Sequence, residues 1–139
     1  MQPQQLHDLI IKPTLEYMGG NYYSKESAFL LLATAAIESD CGYYIKQING
    51  IALGIWQDEP DTHEDIWNNC DALKSTQFAD LIDDLVVNLK CGYDNYEVIS
   101  PTYACAMARL KYSMDPHPLP KLTGDNNADS RAFYNYYKR

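Results

Sequence analysis

Glu38 stands at the end of the most apolar stretch of the chain, in which Thr34 is the one polar residue between Ala28 and Ala36. On a helix, Leu31, Ala35 and Glu38 fall at i, i+4 and i+7 and share one face. That face belongs to the core, where a carboxyl costs free energy unless it has a partner or a task. It also lies in the last helical turn, where the negative end of the helix dipole opposes the charged form. Burial and dipole together favour a protonated glutamate, the state required of a general acid. Gly42 is the expected left-handed stop of this helix. Downstream, Gly50-Ile51-Ala52-Leu53-Gly54-Ile55-Trp56-Gln57 joins small residues, which permit close backbone approach, to an aromatic ring and an amide. A helix-end carboxyl facing such a turn has the make-up of a sugar cleft. Glu38 alone would read as a half-exposed glutamate paired with a lysine, and the glycine-lined segment tips the reading toward chemistry.

The order Glu38-Ser39, a glycine at 42, then Gly50-x-Ala52-x-Gly54-x-x-Gln57 and Pro60 resembles the lytic transglycosylase branch of the lysozyme superfamily. The resemblance covers about Thr34 to Pro60. It differs from the usual pattern in one place: Asp40 and Cys41 stand between Ser39 and Gly42, where the family has the glycine directly after the serine. It implies a mainly α, lysozyme-like fold with a small β-hairpin at the cleft, and peptidoglycan glycan strands as the partner. Glu38 would be the single catalytic acid/base. It would protonate the oxygen of the β-1,4 bond between N-acetylmuramic acid and N-acetylglucosamine. It would then draw a proton from the 6-hydroxyl of the same muramic residue, so that an anhydro product forms without water. Ser39, Gly54, Trp56, Gln57, Glu59, Tyr103 and Arg109 are the expected substrate-binding residues, and no cofactor or metal is implied.

Hydrolysis uses a second carboxyl. Asp40, two residues from Glu38, points elsewhere on a continuing helix, whereas Glu59 can reach the cleft from beyond Gln57. A muramidase or endolysin using Glu38 with Glu59 is therefore the alternative enzyme. A lysozyme-fold structural virion protein without activity is the alternative from a different class, and it predicts that neighbours seal Glu38.

The 139 residues suit one domain, 1–139, and an apolar content of 46% with 22% charged residues is that of a globular protein. A formal net charge of −8 argues against nucleic acid, whose phosphates need clustered Lys and Arg. It also argues against free diffusion onto an anionic envelope. No apolar run is long enough for a membrane span. Met1 to Leu6 carries neither a basic nor an apolar leader region, so synthesis in a bacterial cytoplasm is expected, with the cell wall as the place of action. Cys41, Cys70, Cys91 and Cys105 have no metal-ligand spacing and are expected as reduced thiols.

The elements that position these residues follow from the pattern. A first helix is expected over Gln4–Met18, broken or kinked at Pro13. A second starts after the N-cap Ser24 and carries Glu38. One helical turn is expected over Leu53–Gln57, and a hairpin turn at Asn49-Gly50. Acid-rich helix starts suit the negative charges after Pro60, where a helix is expected to run to Asn69. An amphipathic helix is expected over Ser75–Lys90, with Phe78, Leu81, Ile82, Leu85 and Leu89 inward. Ser100-Pro101 opens a small-residue helix that should pack against the Glu38 helix and bring Tyr103 and Arg109 toward the cleft. Asp115 to Pro120 reads as a stiff strap across the surface. A final aromatic helix follows over Asn127–Lys138, with Phe133 and Tyr137 expected in the core and the other tyrosines available for sugar stacking. Ala108-Arg109-Leu110, Pro116-His117-Pro118-Leu119-Pro120 and the aromatic end are similar to uncharacterised phage-encoded proteins. That similarity implies a phage origin and other virion proteins as partners.

Overall fold

A computed structural model of the chain describes residues 1–43, 50, 52–86, 96 and 100–139. The described residues are mainly helical. They contain no strand, and their one isolated β-bridge pairs Leu53 with Asp58. The hairpin expected at Asn49-Gly50 falls outside them except for Gly50 itself.

The first helical segment comprises α1 (Pro3–Leu6), a π-helical stretch (His7–Ile11) and α2 (Lys12–Met18). The interruption expected at Pro13 takes the form of this π stretch just before it. A proline supplies no N–H to the turn above, and a wider turn absorbs the mismatch. Leu6, Ile11, Leu15 and Met18 face the core, and Gly19, at φ 75°, ends the segment.

The central helix, α3 (Lys25–Ser39), starts as expected at Ser24. The Ser24 hydroxyl accepts from Ser27 N–H at 3.0 Å, and the Ser24 N–H donates to the Ser27 hydroxyl at 2.9 Å. Two otherwise unsatisfied groups at the helix start are thereby paired. Leu31 and Ala35 are fully buried in the main core, while Leu30 faces a smaller cluster with Phe133 and Tyr136. α3 is thus buried on two sides, which accounts for its all-round apolar sequence. Its end differs from expectation. Asp40 takes the left-handed conformation at φ 51°, and Cys41 (φ 53°) and Gly42 (φ 90°) continue it. The Cys41 N–H returns to the Ala35 carbonyl at 3.0 Å, so the helix closes two residues ahead of Gly42.

After α4 (Pro60–Asn69) and a 3₁₀ turn (Asp71–Lys74) comes α5 (Thr76–Asp83). Ser75, the first residue of the expected span, is its N-cap. It stops at Asp83, well before the expected Lys90, and residues 87–90 lie outside the described part. Asp80, Asp83 and Asp84 crowd negative charge onto the negative end of the helix dipole, which disfavours extension. Burial and those two neighbouring charges push the Asp83 carboxyl up.

The Ser100 hydroxyl caps α6 (Pro101–Ser113) by accepting from Tyr103 N–H at 3.1 Å. Ala104, Cys105, Ala106, Met107 and Ala108 are all buried. Small side chains let α6 pack against α2, α3 and α4 at once. The stretch after it straps the surface: the His117 carbonyl accepts from Tyr136 O–H at 3.0 Å, and Leu122 N–H donates to Glu26 at 3.1 Å. Asp125 then caps α7 (Asn126–Tyr137).

Cys41, Cys70 and Cys105 are buried free thiols, and Cys91 lies outside the described residues. Burial pushes the Cys41 and Cys105 thiols up. Since thiolate is the reactive form, both are expected to resist iodoacetamide at pH 8 in folded protein and to react fully in denaturant. Peptide mass mapping of the alkylated sites checks this.

Candidate functional site around Glu38

The segment that should face Glu38 is a tight loop where a helical turn was expected. Leu53 N–H donates to the Asp58 carbonyl at 2.8 Å, and Asp58 N–H returns to Leu53 at 3.0 Å. Between them Gln57 N–H bonds the Gly54 carbonyl at 3.1 Å. Gly54 and Gln57 both have positive φ, 79° and 52°. A right-handed helical turn cannot hold two such residues.

Two side chains clamp this loop to α3. The buried Ser39 hydroxyl donates to the Ile55 carbonyl and accepts from Gly42 N–H at 2.9 Å. The Trp56 indole N–H donates to the Leu31 carbonyl at 2.8 Å. Ser39 therefore holds architecture, and Trp56 both braces the loop and forms part of a pocket beside it. A Cβ added at Gly42 would sit 3.3 Å from the Ile55 side chain, so this junction has little room for a larger residue.

The pocket, about 240 Å³, is lined by Glu38, Trp56, Gln57 and Asp58 together with groups from α6 and the chain end. Glu38 is half-buried and accepts a hydrogen bond from the Tyr137 hydroxyl. Burial, that bond and the Glu38 charge push the Tyr137 phenol up, so it remains the donor. On the pocket floor Tyr112 bonds Thr34 at 2.6 Å. Thr34 in turn donates to the Leu30 carbonyl, so the Tyr112 hydroxyl is the donor between the two. Burial is the main cause that pushes the Tyr112 phenol up to about 12, and the charges of Asp58 and Glu38 add to it. The Gln57 amide is anchored on the Gly54 carbonyl at 2.7 Å.

Asp58 is 2% exposed, and its Oδ1 accepts from Lys111 Nζ at 3.3 Å. At the rim, Asp115 accepts from His117 and Arg139, which hold its carboxyl down at about 2.

Five of the expected residues, Glu38, Ser39, Gly54, Trp56 and Gln57, thus belong to one loop-and-helix-end unit, with Ser39 buried as its clamp. Glu59 is exposed and precedes α4 as its N-cap, outside the pocket lining. Tyr103 is fully buried on another side of α6, where its hydroxyl accepts from the Trp67 indole at 2.8 Å and meets His63 Nε2 at 2.5 Å. Arg109 donates to the Tyr22 carbonyl at 2.9 Å and lies over the Tyr22 ring. The α6 residues that do face the pocket are Ala108, Lys111 and Tyr112, at i, i+3 and i+4. Tyr137, expected in the core, packs half-buried against the Leu30–Phe133 cluster and also bonds Glu38, while Tyr136 is buried in that cluster and lines the pocket beside it.

Comparison with protein-family models, curated proteins and solved structures finds no match to this chain. Among the described residues no group of three or more His, Cys, Asp or Glu is placed to hold a metal ion. None of their helices is long and apolar enough to cross a membrane.

The arrangement can position a carboxyl against a ligand and exchange a proton with it. A neutral phenol bonds Glu38, and the clamped loop adds aromatic, amide and carboxylate groups to the same pocket lining.

Proposed function

We propose that this protein cleaves the β-1,4 bond between N-acetylmuramic acid and N-acetylglucosamine in peptidoglycan, by the lytic transglycosylase route. Glu38 gives its proton to the leaving oxygen as the bond to the muramic C1 breaks. The resulting carboxylate takes the proton of the muramic 6-hydroxyl as that oxygen closes on C1. Tyr137 positions Glu38 and stabilises its charged state between the two transfers. Trp56 and Gln57 hold the sugar.

The observation that supports this reading is the seating of the Gly54–Gln57 loop on the end of α3 through Ser39. The two halves of the sequence pattern thereby form one pocket with Glu38 in its wall. The half-exposure of Glu38 suits the enzyme better than the inactive virion protein, which requires a sealed carboxyl. The same reading has the domain carried to the wall by a phage particle, because a net charge of −8 repels a free enzyme from an anionic envelope.

Mass spectrometry of purified sacculi digested with the full chain tests the reading. Anhydromuramyl ends are the expected product. Sacculi left intact by folded protein would overturn it.

A further inference from the structure

We infer that Asp58 is a second functional carboxylate of this pocket, a water-activating base that gives the enzyme a hydrolytic branch beside the lytic one. The inference rests on the peptidoglycan-cleaving reading and adds a residue and a co-substrate, water, to it.

Three observations carry it. Glu38 and Asp58 enter one pocket from different elements, the end of α3 and the exit of the clamped loop. They share that pocket with Lys111 and Tyr112, which come from one turn of α6. Their surroundings also differ in kind. Asp58 lies beside the Lys111 ammonium, which offsets the cost of burying a negative charge. Glu38 lies beside a neutral phenol at the negative end of a helix. Two carboxyls that line one cleft from different elements are the arrangement glycoside hydrolysis uses.

The step balances without any further reagent. Glu38 gives its proton to the leaving oxygen while the bond to the muramic C1 breaks. A water oxygen bonds to C1, and the proton it loses goes to Asp58. The products are a muramic residue with a free reducing end and a glycan with a new hydroxyl. Solvent then returns a proton to Glu38 and takes one from Asp58. The lytic route uses neither Asp58 nor water, so the two branches leave different ends on the same glycan.

The ratio of reducing to anhydro ends is the test, because it does not depend on how much of a variant is folded. Wild-type digests in H₂¹⁸O should contain both ends, with the label on the reducing ends alone. Asp58→Asn should lower the ratio about 10²-fold, within the range typical of a lost general base. Azide added to Asp58→Ala should yield a muramyl azide, which a purely structural role for Asp58 would not produce. Anhydro ends alone from the wild type, or an unchanged ratio from Asp58→Asn, would overturn the inference and leave the lytic reading standing. No cleavage by the wild type would remove both.

Discussion

Glu38→Gln is expected to slow glycan cleavage by about 10²–10⁴-fold, the range over which a positioned acid/base acts. Glutamine has nearly the shape of glutamate and its amide oxygen can still accept from Tyr137, but it neither gives nor takes a proton. The fold should survive. The change is confined to one side-chain atom of a half-buried residue, so the packing at the end of α3 stays in place. The melting temperature should therefore stay close to that of the wild type. A second readout belongs to Tyr137, whose phenol the Glu38 charge and hydrogen bond help to push up. With glutamine in place it should ionise at lower pH, visible as tyrosinate absorbance. Near-normal release of soluble fragments from sacculi by Glu38→Gln would sink the catalytic assignment.

Trp56→Ala is expected to have the largest effect on stability, about 3–5 kcal/mol, the usual cost of truncating a buried large aromatic side chain. Trp56 is 3% exposed, packs in the main core and anchors the loop through its indole bond to Leu31. A loss of this size is a large share of the 5–15 kcal/mol that holds a typical domain together. Removal should also loosen Gln57 and Asp58, since Ser39 would then clamp the loop alone. Chemical denaturation should show the midpoint shift. Cleavage by the variant, measured well below its unfolding transition, should fall as well. An unchanged midpoint would mean that the loop is held by contacts other than Trp56.

These two residues also mark where sequence reasoning reaches. Glu38 at its helix end and the close backbone approach around Gly54 were legible because their signals are local, whereas the loop that replaces the expected helical turn was not. A carboxyl at the end of an apolar helical run and closely spaced glycines around an aromatic and an amide constrain the backbone within a few residues. The helix starts were legible for the same reason, as Ser24, Ser75 and Ser100 each satisfy an N–H group three residues on. Local signals do not say which of two neighbours faces inward. Asp58 and Glu59 are both acids after Gln57, and the choice between them came from the pairing of Asp58 with Leu53. Adjacent residues on extended backbone point to opposite sides, so once Asp58 lines the pocket Glu59 turns to solvent. The same limit applies to Tyr136 and Tyr137, which both line the pocket: a helical step of about 100° buries Tyr136 in the smaller core cluster and leaves Tyr137 half-buried against Glu38.

The amino-acid sequence by itself determined the helical character, the serine caps and an interruption at Pro13, because short-range sterics and hydrogen bonding set them. Tertiary structure alone decided that Tyr137 reaches Glu38 across 99 positions of chain. It also decided that Lys111 meets Asp58, and that Tyr103 and Arg109 turn away to Trp67, His63 and Tyr22. The physical reason is that α6 is buried almost all round. Its own periodicity therefore marks no single inner face, and the packing of α2, α3 and α4 around it selects which side chains reach the pocket.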